Sequence, residues 1–134
     1  MNTEAGRHGF SGSAAGRLHE RLAHLPPAEA AGIRYLQMAG DASDGLPLIL
    51  LHGIGSGAAS WLPLMLAIGS LRRTLAWNQP GYAGSGALSR TRVKATDYAK
   101  ALISWLDALG IDRCQLVGHS LGALIGAAAA ARHP

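Results

Sequence analysis

The stretch Leu116-Val117-Gly118-His119-Ser120-Leu121-Gly122 lies near the end of this 134-residue chain and decides its predicted fold. Apolar residues precede a Gly-x-Ser-x-Gly pattern, and a helix of small residues is predicted after it. Small neighbours let a chain turn sharply from strand to helix and leave the serine hydroxyl exposed. Glycine suits positions 118 and 122 because a Cβ atom there would crowd the turn or hold the helix off the sheet. The pattern predicts that Ser120 is a nucleophile.

The Gly-x-Ser-x-Gly pattern is weak when taken alone, because a chain with 18 glycines can contain it by chance. The alternative is a serine that only caps the N-terminus of the following helix. The context favours the nucleophile, since a buried strand is predicted before the turn and a helix of small residues after it.

The order of predicted elements indicates the fold class. Residues 33–38 alternate as a strand does, and three apolar runs at 46–51, 71–77 and 113–117 are typical of strands buried on both faces. Helices are predicted near 62–68, at 95–109 with Thr96 as N-cap and Gly110 after its end, and at 121–132. Strands that alternate with helices predict an α/β fold with a mostly parallel sheet and flanking helices.

Composition and charge indicate which binding partners and which cellular compartment to expect. The formal net charge is +4, with no run of Lys or Arg, so we expect no nucleic-acid partner. Cys114 is the single cysteine, which is compatible with a reducing compartment. Apolar runs are too short to span a bilayer, and the N-terminus lacks a signal-peptide pattern. We therefore expect a cytoplasmic protein without a membrane partner.

The N-terminal residues differ in composition from the rest of the chain. Residues 1–15 are rich in Gly, Ser and Ala and indicate a mobile tail. Residues 16–25 are predicted to form either a short amphipathic helix or a frayed first strand. The predicted division is a flexible tail over 1–30, with a short helix in it, and one folded domain over 31–134.

The loop His52-Gly53-Ile54-Gly55-Ser56-Gly57 follows a predicted strand and is rich in glycine. A backbone N–H from such a loop, paired with the N–H of Leu121, would stabilise the oxyanion of a tetrahedral intermediate. The alternatives are a plain strand-to-helix turn and a phosphate-binding loop. Nucleotide binding has weak support, since the loop lacks both the Gly-Lys-Ser/Thr ending and the full Gly-x-Gly-x-x-Gly spacing.

Several motifs in order carry a family resemblance: His52-Gly53-Ile54-Gly55, Trp61, Asn78-Gln79-Pro80-Gly81-Tyr82 and Gly118-His119-Ser120-Leu121-Gly122. Over roughly residues 33–134 the chain resembles the N-terminal half of an α/β-hydrolase domain. The resemblance implies that Ser120 is the catalytic nucleophile and that the backbone N–H groups of Ile54 and Leu121 form the oxyanion hole. It also implies that His52, Gly53, Gly55, Gly118 and Gly122 support these motifs.

The resemblance also narrows the reaction. A serine at the turn resembles esterases, lipases, carbon–carbon bond hydrolases and cofactor-free perhydrolases. It differs from haloalkane dehalogenases and epoxide hydrolases, which have aspartate there. The substrate implied is a small-molecule ester or related carbonyl compound, with no cofactor. The family turn Asp-x-Pro-Gly-x-Gly aligns with Asn78 and its successors, so Asn78 replaces the aspartate and Ala83 the last glycine. Both departures are expected to affect stability more than chemistry.

The acid and the histidine that act with a catalytic serine have no clear candidates after Ser120. In this fold the acid and then the histidine follow the serine, yet no Asp or Glu follows Ser120. His133 follows by 13 residues, about 20 Å along a helix. Structural roles are expected for two other histidines, His52 and His119. Surface positions are expected for the remaining histidines and for three aspartates: His8, His19, His24, Asp97, Asp107 and Asp112. No His or Cys cluster has metal-ligand spacing.

Two functions of different classes therefore remain open. The first is a serine hydrolase present as a fragment that lacks the triad acid and histidine. The second is a non-catalytic remnant or interaction module. The strand before Ser120 would be central in a complete sheet, so its outer edge is expected to be unpaired and to favour self-association.

Overall fold

A computed structural model describes residues 28–41 and 45–134, together with 13–14, 16–17, 20–21 and 25–26. Of the residues predicted to form a mobile tail (1–15), 1–12 and 15 lie outside the described residues. Within the predicted segment 16–25, residues 16, 17, 20 and 21 are helical, while the leucines at 18 and 22 lie outside the described residues.

The described chain alternates strands and helices around one five-stranded sheet. The strands are β1 (Ala28–Ala30), β2 (Ile33–Met38), β3 (Leu48–Leu51), β4 (Thr74–Trp77) and β5 (Gln115–Gly118). The helices are α1 (Leu62–Ile68), α2 (Ala95–Ala108) and α3 (Leu121–Ala130), and a 3₁₀ turn spans Ala58–Trp61. The sheet order is β1-β2-β4-β3-β5. β3 is parallel to β4 and β5, whereas β2 is antiparallel to β1 and β4. The predicted α/β class is confirmed.

The two central strands separate two apolar layers. Every residue of β3 and β4 is buried, because helices cover both faces. One layer contains Ile49 and Leu51 against α2 and α3, and the other contains Leu48 and Leu50 against α1. Successive residues of a strand point to opposite faces, so the continuous apolar run fills both layers.

The structure adds a strand that the sequence did not indicate. Ala28–Ala30 pairs antiparallel with β2 through a two-residue turn at Ala31 and Gly32, so the sheet begins inside the predicted tail. Both turn residues have positive φ, 50° and 74°, as hairpin turns that match the twist of a sheet require. An alanine in the first turn position concealed this hairpin.

The N-cap of helix α2 lies two residues before the predicted one. Lys94 is the N-cap, and the prediction of Thr96 was wrong. The Asp97 carboxylate accepts a hydrogen bond from the Lys94 N–H at 2.9 Å and pairs with Arg90 at 3.1 Å. The Lys94 hydrogen bond, followed by the charges of Arg90 and Lys100, lowers the pKa of Asp97. Asp97 is therefore a buried capping residue and not the surface charge that was expected.

Strand β5 is less buried than predicted. Its side chains alternate, with Gln115 exposed and Val117 39% exposed. Among the described strands it pairs with β3 alone, so its outer edge is unpaired, as expected. A groove of about 790 Å³ lies beside this edge, between α2 and α3. The prediction of a strand buried on both faces was wrong here, because α3 covers one face of β5 while the face that carries Gln115 and Val117 is exposed.

Candidate active site

The turn between β5 and α3 holds Ser120 in a conformation rare for a residue with a side chain. Its φ is 53° and its ψ is −121°, and such backbone strain costs about 1–3 kcal/mol and concentrates at functional sites. The side chain makes no capping hydrogen bond to α3, and Ser120 is exposed. Ser120 thus occupies the N-cap position without a side-chain capping hydrogen bond, so the helix-cap alternative is wrong.

Two glycines make the turn sterically feasible. A Cβ atom on Gly118 would lie 2.5 Å from the backbone of Gly122 and Ala123. A Cβ atom on Gly122 would lie 2.1 Å from the Leu51 carbonyl oxygen. Real Cβ atoms do not approach backbone atoms so closely, so the predicted steric reason for both glycines is confirmed.

The loop after β3 lies directly against this turn. A Cβ atom on Gly53 would be 3.1 Å from both the Ser120 Cβ and the His119 Nδ1. Gly55 has open space around it but needs a φ of 70°. The two glycines are thus required for different reasons, one for close approach and the other for backbone conformation. The fold brings the predicted loop and the predicted serine together across 67 residues of sequence (Gly53 to Ser120).

The two expected oxyanion donors are the backbone N–H groups of Ile54 and Leu121. Among the described residues, neither N–H donates a hydrogen bond to a backbone or side-chain acceptor. Leu121 begins α3, so its N–H is one of the donors that a helix leaves unpaired at its N-terminus. Ile54 is 73% exposed. Both donors are therefore available to an external oxygen atom.

His52 is buried and holds two hydrogen bonds. Its Nε2 accepts the Gln79 N–H at 3.1 Å, and its Nδ1 lies 2.9 Å from the Gly53 carbonyl oxygen. The expected structural role is thereby supported by contacts on both ring nitrogens. Sequence reasoning missed Gln79, whose contribution is a backbone N–H and leaves no signal in residue type.

Family comparison matches this arrangement. A family model described as the alpha/beta hydrolase fold matches residues 47–134, well over half of the chain. The chain belongs to the α/β-hydrolase family. The match covers the loop after β3, the turn at Ser120 and helices α1 to α3, so the family assignment rests on the same elements as the geometry.

Individual relatives agree with the α/β-hydrolase assignment. The protein named "Putative carbamate hydrolase RutD" in Stutzerimonas stutzeri is 39% identical over 83 residues, covering 62% of this chain and 31% of that protein. The 2-hydroxymuconate semialdehyde hydrolase of Pseudomonas sp. CF600 is 34% identical over 108 residues, covering 78% and 38%. The solved enol-lactonase of Burkholderia xenovorans LB400 has a TM-score of 0.69 at 25% identity, covering 81% and 42%.

This α/β-hydrolase chain spans about a third of the length of the first curated relatives it matches. Within the described part, the hydrogen bonds include none between the Ser120 hydroxyl and a histidine or carboxylate. His133 lies beyond the far end of α3, where its backbone N–H bonds to Ala129. Asp107 and Asp112 are exposed, as expected.

His119 differs from its prediction. It was expected to be a packed structural histidine, but its side chain is exposed. The turn directs the ring over Gly53, where its Nδ1 lies beside the backbone of the loop. Because Gly53 has no side chain, the His119 ring fits beside it. For the same reason Gly53 offers no apolar group to bury the ring.

The turn after β4 is held by side-chain contacts. The Asn78 Oδ1 accepts the Ala58 N–H at 2.8 Å and so caps the 3₁₀ turn. The buried Ser85 hydroxyl donates to the Asn78 carbonyl at 2.6 Å and accepts the Arg34 N–H at 2.9 Å. These contacts support the expectation that the Asn78 position of the α/β-hydrolase turn is structural.

Ala83, which replaces the family glycine, has a φ of 42°. We expect Ala83→Gly to raise the free energy of unfolding by about 0.5–1 kcal/mol, because glycine adopts this left-handed conformation without strain. Urea unfolding followed by circular dichroism measures the change. The matched control is Ala87→Gly, an exposed position without positive φ, which should lower stability instead. Equal effects at both positions would contradict the argument.

We expect burial of His52 to make the folded chain less stable in acid. Burial lowers the pKa of His52, so the unfolded chain binds the proton more tightly than the folded one. Its contribution to stability is then complete above the ordinary histidine pKa of about 6.5 and is lost as the pH falls through that value towards the folded pKa. Urea unfolding at pH 7.5, 6.5 and 5.5 should show a steeper loss for the wild type than for His52→Asn. Parallel pH profiles would contradict this expectation.

Among the described residues, no group of three or more His, Cys, Asp or Glu side chains is placed to hold a metal ion. No helix in the described part of the chain is long and apolar enough to cross a membrane. Trp61 packs against the apolar layer under α1, and Tyr82 lies beside His52 with 5.2 Å between ring centroids.

Proposed function

We propose that this chain supplies the nucleophile and the oxyanion donors of a serine hydrolase that acts on a small-molecule ester or related carbonyl substrate. The observation that carries the proposal is the strained, exposed backbone of Ser120. A fold maintains such strain when the surrounding structure over-determines it, which is typical of active sites. The free N–H groups of Ile54 and Leu121 support the same chemistry.

The proposed reaction begins when the Ser120 hydroxyl oxygen attacks the substrate carbonyl carbon and passes its proton to a general base. The carbonyl oxygen becomes an oxyanion, which the two backbone N–H groups stabilise. One such donor typically contributes about 3 kcal/mol to the transition state. The names of two relatives refer to a carbamate and a lactone, and both compound classes contain a carbonyl group. This supports the substrate class without fixing the substrate.

The proposal also requires a general base and an acid. The described residues present neither group to Ser120. The matched region makes up only about a third of each of the longer relatives. We propose that the histidine and the acid belong to the remaining part of the α/β-hydrolase fold. Without a base, hydrolysis retains only the residual contribution of binding and oxyanion stabilisation.

A fluorophosphonate probe tests the proposal. The chain is incubated with the probe alone and together with a separately produced segment that supplies the rest of a relative's domain. We expect an adduct on Ser120 in the combined sample, located by peptide mass mapping, and the same adduct in Ser89→Ala, which changes an exposed serine elsewhere. A stable chain without a Ser120 adduct in either sample would exclude the nucleophile and favour the non-catalytic interaction module.

A further inference from the structure

The loop that carries Ile54 is attached to the turn after β4 at both of its ends. At one end the Gln79 N–H donates to His52 Nε2 at 3.1 Å, and at the other the Ala58 N–H donates to Asn78 Oδ1 at 2.8 Å. The loop residues between His52 and Ala58 are therefore anchored by a hydrogen bond at each end. Their internal orientation depends on the contacts made inside the loop.

The contact with Gln79 decides where the proton of the His52 ring lies. A backbone N–H can only donate, so Nε2 must carry a lone pair. In a neutral imidazole the proton is then on Nδ1. The Nδ1–H group donates to the Gly53 carbonyl oxygen at 2.9 Å. The tautomer thus follows from the partner of the opposite nitrogen.

The Gly53 carbonyl and the Ile54 N–H belong to one planar peptide unit. The described residues contain no cis peptide bond, and in a trans unit the carbonyl and the N–H point in opposite directions. Because His52 holds the carbonyl, it also fixes the N–H of Ile54, which points away from the ring. Gly53 itself lies against Ser120, with 3.1 Å between an ideal Cβ position and the Ser120 Cβ.

We propose that His52 is a positioning residue that sets the direction of the Ile54 N–H beside Ser120. The use of that N–H as an oxyanion donor rests on the proposed function. The two hydrogen bonds of the His52 ring, with Gly53 and with Gln79, form a clamp that does not depend on it. Burial supports the clamp, because His52 is 1% exposed and the Tyr82 ring covers it. Water therefore does not compete for either ring nitrogen. The Ser56 N–H also reaches the Gly53 carbonyl, at a longer 3.3 Å, so the test must separate the two donors.

The test compares two replacements of His52 on the intact chain. The amide nitrogen of asparagine takes the position of Nδ1 and can donate to the Gly53 carbonyl, whereas that of glutamine reaches towards Nε2. Residual dipolar couplings measure the direction of the Ile54 N–H bond relative to the sheet. We expect His52→Asn to keep the wild-type coupling and His52→Gln to lose it. The Ser56 contact remains in both variants.

Two further measurements make the outcome decisive. Long-range ¹H–¹⁵N correlation on the wild type should show the protonated ring nitrogen of His52 at Nδ1. A proton at Nε2, or a wild-type Ile54 coupling in folded His52→Gln, overturns the proposal even if one variant fails to fold. Where the fluorophosphonate labels Ser120, the labelling rate of His52→Gln should fall roughly tenfold below that of His52→Asn. Absence of wild-type labelling counts against the proposed function, while the couplings and the tautomer still decide the clamp.

Discussion

Replacing Gly122 with alanine is expected to lower the free energy of unfolding by about 3 kcal/mol or more. The new Cβ atom would lie 2.1 Å from the Leu51 carbonyl oxygen and 2.7 Å from that of His52. Both are backbone atoms of a central, buried segment, so neither can rotate away as a side chain could. Relief requires α3 to move off β3, which would expose apolar area between them. Such a loss is a large part of the total stability of about 5–15 kcal/mol of a typical domain.

Gly86→Ala is the matched control for Gly122→Ala. A Cβ atom on Gly86 would meet its nearest neighbour, the Gly32 carbonyl oxygen, at an ordinary 3.7 Å, and its φ is not positive. Urea unfolding of both variants should show a change within about 0.5 kcal/mol for Gly86→Ala. If Gly122→Ala unfolds at the same urea concentration as this control, α3 does not approach β3 as closely as described.

Replacing Ser120 with glycine is expected to have two opposite effects. The fluorophosphonate adduct should disappear completely, because the attacking oxygen is gone. The free energy of unfolding should rise by about 1 kcal/mol, because glycine adopts a φ of 53° and a ψ of −121° without the strain imposed by a Cβ atom. The greater entropy of glycine in the unfolded chain offsets part of this gain.

Ser120→Ala separates the two effects. Alanine also lacks the hydroxyl, so its adduct should be lost as well, but it keeps the Cβ atom and therefore the strain. Its stability should stay within about 0.5 kcal/mol of the wild type and below that of Ser120→Gly. If Ser120→Gly is less stable than Ser120→Ala, as glycine is at an unstrained position, the backbone of Ser120 is not strained. If either variant still forms an adduct at position 120, the adduct assignment itself is wrong.

Local sequence determined most of the helices and the central strands. Apolar runs predicted β3 and β4, though each observed strand is shorter at its start. The run of 62–68 and the stripe through Leu102, Trp105 and Leu106 predicted α1 and α2. These signals are local because a buried face imposes its periodicity on neighbouring residues. Strand β1 and the cap of α2 were missed, since a three-residue strand and a lysine N-cap have no distinctive local pattern.

The motifs alone also indicated the residues of the candidate site. Glycine at 118 and 122 is demanded by the turn itself, and the motif order around Ser120 matched the family. What the sequence left open were the contacts across the sheet. The exposed His119, the buried Asp97 and the exposed face of β5 all depend on what packs against them, which residue type alone does not specify.

The sequence by itself thus determined that a glycine-flanked serine follows a strand and that a glycine-rich loop follows another. Only the tertiary structure placed the two side by side, because the parallel pairing of β3 with β5 brings their C-terminal ends to one edge of the sheet. It also placed the Gln79 N–H, at the end of β4, against the Nε2 of His52. Residues far apart in the chain meet through strand pairing, and this pairing is a property of the whole sheet.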